Sequence, residues 1–397
     1  MRRRTLLIGA GGLLGAWGIA ELVWVRTSSA ARNTSVFNVR DYGASGDGSQ
    51  DDTDAFKLAF KAARDAGGAV QVLIPPGHYP VSTSLIMSAG MTVTAYGARI
   101  VRGTDSGALL KNFDGKSNAP GYSGPGGLVV QGGTWDMAGG QYTDRCDAMA
   151  FGHAEDIRIE DCTILEVPSA HAVELNGVRK VRVVNCVFDG LDTTHAPRAE
   201  KEAVQITAAT SNANLPFGPH DDTPCDDIEL TGCTLRASAS GSGPFGSLCG
   251  DHGGREGVLH SRIRVIGNHV EAAAGNGVRV ADWQDSTIQD NTVEGAQLAG
   301  IEIHSLGGNA MSDIRVEHNT IRRTGRAGIA AAGTEETPVT GLIVTGNTVA
   351  PLTGQPGIQL EYAPRAVVSG NTTRTGLSPG VQVQHSQGTR LTANSEA

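Results

Sequence analysis

Aromatic residues make up only 5% of this 397-residue chain, and its six cysteines include no C-x-x-C pair. The first scarcity leaves few bulky side chains for one thick globular core. The second removes the ligand spacing of a structural zinc site. Positive charge is short as well: 32 Lys and Arg stand against 41 Asp and Glu, a formal net charge of -9. So acidic a surface argues against nucleic acid as a partner. It also disfavours a polyanionic substrate unless a local basic cluster overrides the average. What the chain does have is glycine, 54 residues of it, with 39% hydrophobic content. That is a chain rich in turns, yet too apolar for disorder.

Residues 1–30 read as a targeting segment rather than as part of the fold. Arg3-Arg4-Thr5-Leu6-Leu7 resembles a twin-arginine export signal, with a largely apolar run from Leu6 to Val25 and small residues at Ser28-Ser29-Ala30 for cleavage. Its removal would take the net charge to about -12. The expectation is a secreted or cell-surface protein, held at a membrane only if the segment stays uncleaved, since the run is about as long as a spanning helix.

From Asp147 onward one sentence repeats. Short strands with apolar residues two apart run Met149–Phe151, Val173–Leu175, Val204–Ile206, a poor copy at Phe245–Ser247, then Val278–Val280, Ile301–Ile303, Ile329–Ala331, Ile358–Leu360 and Val381–Val383. A second row places Cys162, Cys186, Cys233, Asn268, Asn291, Asn319, Asn347 and Asn371 at one turn position, spaced 24, 47, 35, 23, 28, 28 and 24 residues apart. A period in the twenties with strand signals predicts an all-β parallel β-helix. The three cysteines read as stacked buried thiols, the asparagines as a hydrogen-bonding ladder. Cys225 and Cys249 lie off the repeat and are candidates to bridge two loops in an oxidising compartment. The long intervals mark insertions near 191–200, 209–227 and 238–257, clustered on neighbouring coils and marking a groove. The expected organisation is a cap over 31–90 and a solenoid over 91–397 with groove loops near 191–257.

The cap itself is readable. Asp51 or Asp52 can start a helix whose apolar face is Phe56, Phe60 and Ala63, ending near Gly67-Gly68. Such a helix would plug an otherwise exposed sheet edge.

The residue between the two apolar positions of each strand faces outward. In order these are Ala150, Glu174, Gln205, Gly246, Arg279, Glu302, Ala330, Gln359 and Gln382. A second column, Asp147, His171 and Glu202, stands at the strand entrances. If it faces the groove, Asp147 and Glu202 lie two coils apart, roughly 10 Å. That is near the upper end of the separation used by inverting glycosidases. The other reading of this column is polar residues bonding turn backbone. Asp251-His252 in a glycine-rich loop offers a general acid or a sugar-binding histidine, or else a plain exposed loop. Trp283 and His304 follow outward positions, where an aromatic can stack on a sugar face. Asp221, Asp222 and Asp226 are oxygen ligands of the type calcium takes; no other cofactor is expected.

Several phrases carry a family resemblance. Phe37–Ala44, Gly46-Asp47-Gly48 and Asp51-Asp52-Thr53 resemble the N-terminal entry of the pectate-lyase-like right-handed β-helix superfamily. Gly132-Gly133-Thr134-Trp135-Asp136 is similar to the GGTWDG phrase of its polygalacturonase branch, with Met137 in place of the last glycine. Lys201–Ile206 resembles the KEAIQID phrase of exported glycoside hydrolases of the polygalacturonase type, with Thr207 replacing the aspartate. Asp221–Cys225 is similar to that group's D-x-T-P-C loop. Gly250–Gly253 and Ser261–Arg264 resemble the GHG and RIK motifs, in the right order but at different spacing. The tandem aspartates of the polygalacturonases are absent from the matching strand. The resemblance implies a right-handed solenoid and an exported glycoside hydrolase acting on a polysaccharide or oligosaccharide. Glu202 and Asp147 are then the leading carboxylates, with Glu174, Asp251 and His252 as substitutes. His171, Lys201, Gln205, Arg279, Trp283 and His304 would line sugar subsites. Two alternatives stand beside it. A polysaccharide lyase or uronate epimerase would use Lys201, His252 and Arg279 against a sugar carboxylate, and a non-catalytic scaffold would bind carbohydrate or sit at the surface. Sugar identity and oligomeric state leave no pattern.

Overall fold

Alternation of apolar and polar residues stacks the strands, all in parallel, into the three faces of a right-handed β-helix. The computed structural model describes residues 34–397 apart from 106, 117, 194–200, 212–214, 241 and 377. The targeting segment and most of the 191–200 insertion therefore lie outside the described residues. One face is a 14-stranded sheet and a second has 12 strands. The third is split into blocks of six and five strands. Near that split we label β1 (Asp147–Gly152), β2 (Val173–Asn176), β3 (Glu202–Thr207), β4 (Ser247–Gly250), β5 (Val278–Ala281) and β6 (Ile301–His304).

Register explains the core. Met149, Val173, Val204 and Cys249 pair in one inward column, and Phe151, Leu175 and Ile206 in the next. All seven are fully buried. Each such aliphatic or aromatic side chain contributes about 1.5–3 kcal/mol on burial. The outward column also follows the pairing: Ala150, Glu174 and Gln205, then Arg279, Glu302, Ala330, Gln359 and Gln382. One position differs from the sequence expectation. Opposite Gln205 stands Gly250, not Gly246, because the strand is Ser247–Gly250 rather than Phe245–Ser247.

Helix α1 (Thr53–Ala66) buries Phe56, Ala59, Phe60 and Ala63 and packs on the first strands. Its start divides labour between two aspartates. Asp51 accepts from the Thr53 amide at 2.9 Å, while Asp52 accepts from Ser45 and Gly46. At the turn row the asparagines form a continuous ladder. Asn291 donates to Asn319 Oδ1 from both its amide (3.0 Å) and its side chain (2.9 Å). The same double bond recurs at Asn319–Asn347, Asn347–Asn371 and Asn371–Asn394. Cys233 meets the ladder by donating its amide to Asn268. All six cysteines are free and buried, so Cys225 and Cys249 do not bridge loops.

The described parts of the 209–227 and 238–257 insertions are tied down. Phe217 packs against Phe113, ring centroids 4.6 Å apart, and joins Ala108 and Ala150 in a small apolar cluster. That cluster covers the outer surface at β1. Glu166 accepts from the hydroxyls of Ser238, Ser240 and Ser242, and Arg255 pairs with Asp222 at 3.1 Å.

Candidate functional site

The entrance column keeps the parity of the core residues: Glu202, Val204 and Ile206 alternate on one side of β3. It is accordingly buried, with Asp147 at 3% exposure, His171 at 0% and Glu202 at 0%. The Asp147 carboxylate accepts from the His171 amide at 2.8 Å, the turn-bonding role that was one of its two readings. Its other neighbour is Glu174, also buried. Burial raises the pKa of both; for Glu174 the Asp147 charge and hydrogen bond add to the rise. Both carboxyls lie inside the wall, where burial favours their protonated forms.

His171 and His252 stack, ring centroids 5.3 Å apart and 19° from parallel. His171 Nδ1 lies 2.8 Å from the Glu202 carbonyl, and His252 Nδ1 lies 2.8 Å from Glu202 Oε2. Each Nδ1 must therefore carry the proton, since both partners only accept. Both Nε2 lone pairs then receive Lys201 Nζ, at 3.4 Å from His171 and 3.2 Å from His252. Burial, with the Lys201 charge behind it, pushes His171 well below the ordinary histidine range, so it is neutral. Lys201 is buried, and its ammonium is the resident cation of this cluster.

His171, Glu202 and His252 are the group among the described residues with metal-ligand geometry, their ligand atoms within 4.8 Å of one another. The Lys201 ammonium already engages both Nε2 lone pairs. The carboxylates considered for calcium do not gather. Asp221 takes the Gly121 amide, Asp222 pairs with Arg255 and Asp226 with Arg262.

Asp251 acts on the loop. Its Oδ1 accepts from the amides of His252 (2.8 Å) and Gly253 (3.0 Å) and from Gln205 Nε2 (3.3 Å). Burial alone would raise its pKa, but His260 beside it and the Gly253 amide bring it below the usual range. It is a buried, ionised anchor that aims His252. Gln205 serves the same anchor.

The opening lies on the other side of Glu202. Glu202, Ser247, Asn276, Arg279, Glu302 and His304 line a pocket of about 200 Å³ with Gly246 and Leu298. Glu202 Oε1 has no hydrogen-bond partner and stands 3.5 Å from Arg279 Nη1. Arg279 Nε lies 4.0 Å from Glu302 Oε2, which accepts from Asn276 at 2.6 Å. His304 Nδ1 is 3.4 Å from the same oxygen, and burial lowers its pKa. Two carboxylates thus flank one guanidinium. Gly250 makes room for it, since a Cβ there would meet the Arg279 carbonyl oxygen at 2.6 Å.

Of the residues expected from sequence, Glu202, Arg279 and His304 line the pocket, and Lys201, His171 and His252 form the cluster behind it. Asp147, Glu174, Asp251 and Gln205 are buried supports. Trp283 is not on the surface: it is fully buried in the core at the start of a strand on another face. Glu302, Asn276 and Ser247 were missed as site residues. Glu302 carried a signal, its place beside Arg279 in the outward column.

Comparison with known proteins agrees with this architecture. A family model described as "Right handed beta helix region" matches residues 256–396. Another, "Rhamnogalacturonase A/epimerase, pectate lyase-like", matches residues 36–106. The chain is 23% identical over 296 residues to plasmin and fibronectin-binding protein A of Streptococcus pneumoniae, covering 68% of this chain and 40% of that protein. It is 25% identical over 286 residues to a polygalacturonase of Malus domestica, covering 66% of this chain and 58% of the other. A 79-residue stretch is 40% identical to alginate lyase 7 of Azotobacter vinelandii, 20% of this chain and 9% of that one. The chain thus spans less than two thirds of each of these relatives. The solved structure of the Streptococcus pneumoniae surface protein and adhesin PfbA superposes with a TM-score of 0.77 at 20% identity, over 91% of this chain and 97% of that one. The chain thus has the fold of a right-handed β-helix and carries partial matches to two family models of the pectate-lyase-like class.

Proposed function

We propose that this protein is an exported polysaccharide-active glycoside hydrolase working in the Glu202–Arg279–Glu302 pocket. One observation carries the reading. Glu202 is wholly buried at the wall of the pocket, one carboxylate oxygen is fixed by His252, and the other, also buried, has no hydrogen-bond partner and stands 3.5 Å from Arg279. A buried acceptor left unsatisfied costs about 1–3 kcal/mol, which a water or sugar hydroxyl at Oε1 would recover. Glu202 is then the base that takes a proton from water, placed beside Arg279 and oriented by His252, which Lys201 holds in turn. Glu302, across Arg279 and more open to solvent, serves the leaving oxygen. Likeness to the apple polygalacturonase supports the reaction class.

A lyase or epimerase fits less well. It needs cations on a uronate carboxylate, and Arg279, the cation lining this pocket, already stands between two carboxylates. Lys201 is turned to the histidines. A non-catalytic surface role draws support from the likeness to the pneumococcal binding protein. One assay separates the three. Purified protein is incubated with neutral, amino-sugar and uronic polysaccharides, and reducing ends and ultraviolet absorbance of unsaturated products are followed. Reducing ends without unsaturation are expected. Unsaturated product means a lyase, a changed uronate epimer ratio in proton NMR of the polymer means an epimerase, and binding with none of these means a scaffold.

A further inference from the structure

The strand position of His304 recurs on the coils that follow. Register carries His304 to Ala332, Glu361 and Gln384 on successive coils. Immediately after the last two stand Tyr362 and His385, whose rings stack at 4.7 Å and 12°. With Glu335, Pro338, Pro364 and Gln387 they wall a second pocket of about 490 Å³, larger than the first. Coils rise about 4.8 Å each, so Tyr362 lies two coils, roughly 10 Å along the axis, from the coil that carries Glu302.

We propose that the Tyr362–His385 pair is a distal saccharide-binding subsite, taking the apolar C–H face of a pyranose ring in the same chain that enters the Glu202 pocket. The inference rests on the reading of that pocket as polysaccharide-active. Three features favour this ligand. The two rings cover each other's inner faces, and each keeps an outward face, an apolar plane with a polar rim of the kind a sugar ring stacks on. Each ring is held by the other, so little side-chain freedom is lost on binding. Glu335 and Gln387 place hydrogen-bonding groups at the same pocket for equatorial hydroxyls. With Tyr362 half-buried and His385 exposed, the pair also supplies an accessible ring contact that Trp283, buried in the core, cannot.

The test is gel affinity electrophoresis of the full chain through matrices holding polygalacturonate, alginate or xyloglucan. Tyr362→Ala and Tyr362→Ala/His385→Ala are compared with Tyr362→Phe, which keeps the ring, and with Glu302→Gln. One stacking contact changes affinity about threefold to tenfold. The expected result is that loss in the alanine variants, with Tyr362→Phe close to wild type and all variants sharing one melting curve. Wild-type affinity in the double alanine variant overturns the subsite, whether or not the protein hydrolyses the polysaccharide. Loss of affinity in Tyr362→Phe equal to that in Tyr362→Ala also overturns it, because the ring would then not be the ligand. Ring-dependent retardation without any released reducing ends would uphold the subsite and sink the hydrolase reading.

Discussion

Replacing Asn319 with alanine is the sharpest structural test of the solenoid. The residue is fully buried in the middle of the ladder. Its Oδ1 accepts from the Asn291 amide at 3.0 Å and Asn291 Nδ2 at 2.9 Å. Its Nδ2 donates to the Ile288 carbonyl at 2.9 Å and to Asn347 Oδ1 at 3.0 Å. Alanine removes all four bonds at about 1 kcal/mol each and strands buried partners on both sides. The expected loss is about 4 kcal/mol. Asn394, at the half-exposed end of the ladder, is the control. It makes three such bonds, to the Asn371 amide and side chain and to the Val368 carbonyl, but water can replace them, so Asn394→Ala should cost about 1 kcal/mol or less. Urea unfolding followed by circular dichroism measures both. Coils of a solenoid can unfold in stages, so the earliest midpoint is compared. Equal losses at the two positions, or a loss under about 1 kcal/mol at Asn319, would refute the ladder as a source of stability.

Three further outcomes are expected. Burial keeps Glu174 and Asp147 protonated above the ordinary carboxylate values of 4.5 and 3.8. The folded state therefore holds more protons than the unfolded one, and stability falls as pH rises from those values through the raised pKa of the pair. Glu174→Gln removes the titratable group and should be the more stable protein at pH 7–8 in thermal melts, with the gap closing towards pH 4; a gap that widens in acid would contradict the raised carboxyl pKa. Gly250→Ala pushes a Cβ against the Arg279 carbonyl, so turnover should drop on the order of 10²-fold with a modest loss of stability; unchanged kinetics would show that Arg279 placement does not matter. Lys201→Met should free both imidazole Nε2 atoms to bind added Zn²⁺ in calorimetry, with wild type binding far more weakly; equal affinity would show that the ammonium does not occupy the cation position.

Strand periodicity made most of the fold readable, because the inward column must be apolar on every coil. The turn row was equally plain, since only residues able to bond along the axis recur there. The failures have definite causes. Phe245 is apolar and buried in the core just before β4, so it imitated a strand residue and moved Gly246 into the outward column in place of Gly250. Trp283 follows β5 closely in sequence, yet the chain has already turned onto another face, where it is the first inward residue. Asp147 was paired with Glu202 by coil spacing alone. The parity it shares with Met149 and Phe151 gave the better answer, that its carboxyl is sunk in the wall. Glu202 keeps the same parity and is as deeply buried, but His252 and Arg279, on other coils, reach its carboxylate. Side-chain reach between coils has no signature in a one-dimensional pattern, and the Lys201 bridge between two histidines is of the same kind.

The central claim is that Glu202 drives hydrolysis from a buried position. Release of reducing ends by wild type and by Glu202→Gln, on the polysaccharide the panel identifies, tests it most directly. The account predicts reducing ends without unsaturated product from wild type, and a fall of about 10²–10⁴-fold in Glu202→Gln with its melting curve intact. Near-wild-type release by Glu202→Gln would contradict it.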